Sequence, residues 1–246
     1  MYWWVVLGVK KLHHFFKPVI GMARVALGRS RTDREAELMA QLNYSPRPSI
    51  LLLGDSLVAA SQAQSGSPDV TMGAVGRSRI ADVHAIVSRT KSNGLWDKVE
   101  GVVVGVGIND AELSEGDNLE SRAIYFRSML DALIRTCLDR PLAILTITEP
   151  DEKGAQVDRF SRELIKRQNA EIRRVGPRAV VFDMDARFRG SMAKAGRPIS
   201  SGFLDGVHIS ELGYGHWKPL LHECIQALRS RQISTRPLGR KRKASF

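Results

Sequence analysis

Short apolar runs alternate with stretches of helical period along most of this chain. The runs fall at 50–53, 101–106, 142–147 and 179–182, with a weaker one at 69–72. Between them, apolar residues recur at spacings of three and four: Ile80, Val83, His84 and Val87; then Ile124, Leu130, Leu133, Ile134 and Cys137; then Val157, Phe160, Leu164, Ile165 and Ile172. A last helix is expected over about 211–229, with Leu212, Trp217, Leu220, Leu221, Cys224, Ile225 and Leu228 on its apolar side. Strands that are apolar throughout are buried on both faces, and helices between them supply the cover. The pattern therefore predicts an α/β domain of three layers, α/β/α, around about five parallel strands.

The ends of the chain follow different patterns. Thr32-Asp33-Arg34-Glu35 has the spacing of a capping box opening a helix that carries Leu38, Met39 and Leu42, and the prolines at 46 and 48 end it. Upstream, residues 3–27 show a wide apolar face with a thin basic stripe (Lys10, His13, His14, Lys17, Arg24), interrupted by Pro18. The run from Tyr2 to Val9 is too short to span a bilayer. It also lacks the basic start and small-residue cleavage site of a secretory signal. The organisation read from this is an amphipathic helical extension over 1–48, a core domain over 49–229 and a basic tail over 230–246. The arm suits either an anionic membrane surface or packing on the domain or a second subunit. The expected location is cytoplasmic, with a membrane-peripheral position open.

Composition changes this picture in two places. The formal charge is +11, from 37 basic against 26 acidic side chains, but seven basic residues and no acid lie between Arg229 and the C-terminus. Without those seven the charge would be about +4, ordinary for a domain. The tail is thus the expected contact for a polyanion, and with Phe246 as its single aromatic it offers no stacking platform. The two cysteines, Cys137 and Cys224, are in phase with apolar neighbours and read as buried free thiols. No Cys/His cluster has zinc spacing, so no metal site is expected from these residues.

Candidate chemistry sits just past the strand runs. Gly54-Asp55-Ser56 follows 50–53, Gly107-Ile108-Asn109-Asp110 follows 101–106, and Gly73-Ala74-Val75-Gly76 follows 69–72. Ligands of open α/β sheets bind outside the carboxyl ends of the strands, so the topology gathers these distant segments at one edge. Near the end of the chain stands Asp205-Gly206-Val207-His208. A serine hydroxyl is a weak nucleophile and needs a base; His208 is one, with Asp205 three residues earlier able to fix its ring. His84, His216 and His222 have no aspartate at that offset. The Asn109 side-chain amide and the backbone N–H groups of Ser56 and Gly76 would make a three-donor oxyanion hole. Gly73 competes with Gly76 for that role. Asp55 and Asp110 are expected to hold their loops by accepting backbone hydrogen bonds.

The ordered set Gly-Asp-Ser, Gly, Gly-x-Asn-Asp and Asp-x-x-His resembles the SGNH, or GDSL-type, esterase and lipase superfamily over about residues 49–229. The resemblance implies a flavodoxin-like α/β/α sandwich that needs no cofactor. It implies Ser56 as nucleophile, His208 and Asp205 as base and acid, and Ser56, Gly76 and Asn109 as oxyanion residues. Two positions depart from the common pattern: Ala60 stands where many members have glycine, and Thr71-Met72 where asparagine often precedes the second block. The implied activity is hydrolysis of a carboxylic ester through an acyl-enzyme. The apolar, basic arm suits a lipid ester, while the polar loops at 61–68 and 111–118 suit an O-acetylated carbohydrate. Transfer to an alcohol instead of water, or a polyanion- or membrane-binding role using the domain as scaffold, are the alternatives. The sequence does not specify the oligomeric state.

Overall fold

The computed structural model describes residues 31–61, 70–113, 117–151 and 160–235. The arm at 2–27, Val157 and the tail beyond 235 lie outside the described residues. Five strands, β1 (Ser49–Gly54), β2 (Val70–Met72), β3 (Val99–Gly105), β4 (Leu142–Leu145) and β5 (Val180–Phe182), form one parallel sheet in the order β2-β1-β3-β4-β5. This is the flavodoxin-like order, and its switch point lies between β1 and β3.

Alternation along the strands divides the core between two faces. Leu51, Leu53, Val102, Val104, Leu142 and Ile144 pack with α1 (Arg31–Tyr44), α3 (Ile80–Ser92), α4 (Leu119–Thr136) and α5 (Arg162–Arg174). Ile50, Leu52, Val103, Ala143 and Leu145 pack on the other face with α2 (Ser56–Ser61), α6 (Met184–Lys194) and α7 (Glu211–Thr235). The expected three-layer architecture is the one observed.

The differences have local causes. Helix α1 already includes Arg31, so Thr32 lies within its first turn and not at the cap. Leu38 and Leu42 are fully buried in the same core as β1 and β3. Helix α1 thus covers the sheet. At the other end α7 continues to Thr235, past the expected boundary at 229. Helix α6 has no counterpart in the sequence reading. Its buried apolar side chains, Met184, Phe188 and Met192, are only three and are separated by charged residues. Ile124 is 59% exposed, and the buried stripe of α4 runs instead through Phe126, Leu130, Leu133 and Ile134. Strand β4 stops at Leu145 because the buried Asn169 side chain takes over both backbone groups of Ile147, accepting from its N–H at 2.7 Å and donating to its carbonyl at 3.0 Å.

Both cysteines are buried and free, and burial pushes their thiols up to about 12. Among the described residues no helix is long and apolar enough to cross a membrane.

Candidate active site

The segment after β1 turns at once into α2, so Ser56 is the first residue of a helix. Its predecessor, Asp55, is buried and accepts the Leu57 N–H at 3.0 Å, which makes it the clasp of that turn. Burial raises the Asp55 carboxyl to about 7; the Leu57 N–H opposes this, and the nearby Asp110 charge adds to it. As the first residue of α2, Ser56 has a backbone N–H with no helical acceptor. Among the described residues nothing else accepts it.

Across the switch point, β3 ends at Gly105 and Gly107 takes φ +136°, a conformation that favours glycine. A side chain there would also press on Ile147, 2.5 Å from its Cδ1. The bend leads into a single 3-10 turn, Asn109–Ala111, that presents Asn109 at the edge. Asp110 points inward and accepts the Ile80 N–H at 3.0 Å, pinning the start of α3 to this loop. Burial brings its carboxyl to about 7 against the pull of that N–H. Asp55 and Asp110 thus hold loops as expected.

The segment after β2 settles which glycine is free. The Gly73 N–H donates to Leu52 O at 2.9 Å and the Val75 N–H to Gly54 O at 3.0 Å, so both extend the β1–β2 ladder. Gly73 has no N–H left to offer. The chain then makes a four-residue turn, Val75 to Ser78, closed by Ser78 N–H to Val75 O at 3.2 Å. Gly76 is its second residue, with an N–H that no described group accepts. The left-handed position of the turn is Arg77, at φ +65°, and not Gly76. A conformation of that kind costs a non-glycine residue about 1–2 kcal/mol. The Asn109 amide donates one N–H to Ser78 O at 3.1 Å, tying the two loops together.

Asp205 and His208 meet directly. His208 Nδ1 lies 2.7 Å from Asp205 Oδ2, while Asp205 Oδ1 accepts the N–H groups of Val207 (3.0 Å) and His208 (2.7 Å). Gly206, at φ +89°, makes the tight return possible. Burial alone would raise the Asp205 carboxyl; the His208 N–H, its ring and the Val207 N–H outweigh it and hold the group below the ordinary carboxylate value. The loop is closed by a bridge between Phe203 and Ile209 and docked by the Asp151 N–H on Gly206 O at 2.8 Å. Asp151 belongs to the segment leaving β4, itself held where Asp185 accepts the Glu149 N–H and Arg189 donates to Glu149 O. From the far side, Tyr214 in α7 donates its hydroxyl to Leu57 O at 2.9 Å, anchoring the helix that follows His208 to the residue after Ser56. Neither Ser56 Oγ nor His208 has a hydrogen bond to the other. The other described histidines are engaged elsewhere: His84 with Thr136, His216 with Ser191, His222 with Gln226.

Asn169, Tyr214 and Ser78 support this edge and were not singled out from sequence. Asn169 left a trace: it shares the buried side of α5 with Leu164, Ile165 and Ile172, where an amide must find partners. A cavity of about 20 Å³ lies at the ends of β1, β3 and β4 between Leu57, Val106, Ile147, Thr148 and Trp217, with Asp55 in its wall. Among the described residues no group of His, Cys, Asp and Glu could hold a metal ion.

The doubly wound sheet thus carries serine, asparagine and an aspartate–histidine pair on loops at its carboxyl edge. A model of the GDSL-like lipase/acylhydrolase family matches residues 52–216, and the chain belongs to that family. Solved structures share the fold at low identity. A GDSL-like lipase from Bacteroides thetaiotaomicron is 13% identical with a TM-score of 0.57, over 80% of this chain and 98% of that one. The C-terminal catalytic domain of the peptidoglycan O-acetyltransferase OatA from Streptococcus pneumoniae is 15% identical with a TM-score of 0.55, over 75% and 96%. An acetyl xylan esterase is 17% identical with a TM-score of 0.53, over 72% and 99%. No curated protein matches the sequence.

Proposed function

We propose that the protein is a serine esterase that removes a short acyl group from an alcohol through a Ser56–His208–Asp205 triad. The observation that carries the reading is the Asp205–His208 contact at 2.7 Å, on a loop docked to the edge where Ser56 and Asn109 stand. Ser56 Oγ attacks the ester carbonyl while His208 Nε2 takes its proton. Asp205 holds the proton on Nδ1, so that Nε2 keeps its lone pair, and stabilises the imidazolium that forms. The N–H groups of Ser56 and Gly76 and the second N–H of the Asn109 amide receive the developing oxyanion. His208 then protonates the leaving alcohol, and water activated by the same ring releases the acid. Ser56 and His208 share no hydrogen bond in this structure; such contacts often tighten only when substrate is bound.

The short acyl group is the part of this reading suggested by two proteins of the same fold, an acetyl xylan esterase and a peptidoglycan O-acetyltransferase domain. Hydrolysis of p-nitrophenyl acetate, butyrate and decanoate by wild type and Ser56→Ala tests the reading. Acetate should be preferred and Ser56→Ala should be inactive with its fold intact. Equal activity in the variant would exclude the mechanism, and a preference for decanoate would exclude the short-acyl assignment. Product analysis with an added alcohol would show whether transfer competes with hydrolysis.

A further inference from the structure

Among the described residues Arg77 is the single non-glycine residue at positive φ. It occupies the third position of the Val75–Ser78 turn, where a φ of +65° is the reason glycine is usually found. A glycine stands next to it, at 76, where the conformation does not ask for one. Arg77 is exposed and makes no hydrogen bond or ion pair with any described residue. Its neighbour Arg79 has Glu112 at 3.9 Å, and Arg122 has Asp117 at 3.0 Å. Strain retained on a side chain that returns nothing to the fold is a mark of functional sites.

The position of this strained arginine is specific. It lies between Gly76, with its unpaired N–H, and Ser78, whose carbonyl holds Asn109. The sheet order puts the loop after β2 beside the loop that carries Ser56, on the side away from β3. We propose that Arg77 is a specificity-determining residue that binds an anionic group, carboxylate or phosphate, on the alcohol part of the ester. This rests on the esterase reading above. On the exposed turn that carries Gly76, a planar, permanently charged guanidinium suits both oxyanions.

The test compares 4-acetoxybenzoate and 4-acetoxyphenyl phosphate with the neutral 4-acetoxybenzamide, all releasing acetate from the same kind of ester. Wild type should favour the anionic substrates in kcat/KM. Arg77→Gly relieves the turn, so its Tm should not fall, yet its anionic-to-neutral preference should drop tenfold or more, through KM rather than kcat. Arg77→Gln, which keeps the strain and loses the charge, should show the same drop, and Arg77→Lys should recover part of it. The larger drop identifies carboxylate or phosphate as the favoured group. An unchanged ratio in Arg77→Gly and Arg77→Gln would overturn the proposal, even with both substrates hydrolysed well. Binding of the unreactive 4-acetamidobenzoate and 4-acetamidobenzamide, measured by calorimetry, gives the same comparison without turnover. If no ester is cleaved, the esterase reading fails, and the amide pair alone decides whether Arg77 selects an anion.

Discussion

The Asp205 carboxylate does two separable things, and replacing it with asparagine should divide them. Oδ1 accepts two backbone N–H groups and shapes the 205–208 turn, while Oδ2 faces His208 Nδ1. In Asp205→Asn the remaining carbonyl oxygen can keep both backbone bonds, so the turn survives. The amide nitrogen then faces Nδ1 as a donor. That favours the tautomer with the proton on Nε2, which cannot accept one from Ser56. Loss of general-base function typically costs about 10²–10⁴ in rate, and a tautomer trap in a buried triad reaches about 10⁴. Here the His208 side chain is 49% exposed and that of Asp205 29%, so water competes for Nδ1 and softens the trap. We expect kcat on p-nitrophenyl acetate to fall about 10²–10³-fold, or about 3–4 kcal/mol of transition-state stabilisation. Asp205→Ala removes all three bonds and leaves two N–H groups without their acceptor, at about 1–3 kcal/mol for each that water does not reach. It should therefore lose Tm as well as kcat. The measurement is kcat with Tm for wild type and both variants. An Asp205→Asn enzyme within tenfold of wild type would refute the tautomer argument. Equal Tm losses in the two variants would refute the division of labour between the oxygens.

Other expectations follow from the same geometry. Asp55 and Asp110 hold protons up to about pH 7 in the fold, whereas an unfolded aspartate releases its proton near pH 4. Unfolding free energy should therefore fall as pH rises from about 4 to 7, by up to about 1.4 kcal/mol per pH unit for each group. Asp55→Asn keeps an acceptor for Leu57 and should flatten that slope in denaturant titrations; an unchanged slope would discount the buried carboxyl. Gly107→Ala must adopt φ +136° and displace Ile147, so it should lower Tm by the equivalent of about 1–3 kcal/mol and reduce activity by misplacing Asn109. Wild-type Tm and activity in this variant would contradict the account of the turn. Leu38→Ala should cost about 2–5 kcal/mol because α1 belongs to the core, and a loss under about 0.5 kcal/mol would return α1 to the status of an appendage.

What could be read from the sequence was set by how directly each feature depends on local pattern. Strands buried on both faces announce themselves as apolar runs, and the sheet of five parallel strands followed from them. Topology alone puts Ser56 and Asn109, on loops at strand ends, at one edge, while Asp205 and His208 are legible as a pair by their offset of three residues. The choice between Gly73 and Gly76 was not legible, because it depends on where the β1–β2 ladder ends. Nor was the left-handed Arg77, since turn chemistry would have put that conformation on the neighbouring glycine. Tyr214 and Asn169 act through contacts 157 and 22 residues away in sequence, beyond any periodicity. Helix α6 was missed because three apolar residues spaced by four, set among charges, give little signal. The packing of α1 is not legible either: the prolines after it suggest a linker, whereas Leu38 and Leu42 lie in the core of the sheet.

The account depends most on Ser56 as the nucleophile. The direct test is labelling with a fluorophosphonate, followed by mass spectrometry of the peptide that contains Gly54-Asp55-Ser56. A single phosphonyl adduct on Ser56, absent in His208→Ala, is the predicted result. Adduct at another residue, or none on a protein that still cleaves p-nitrophenyl acetate, would contradict it.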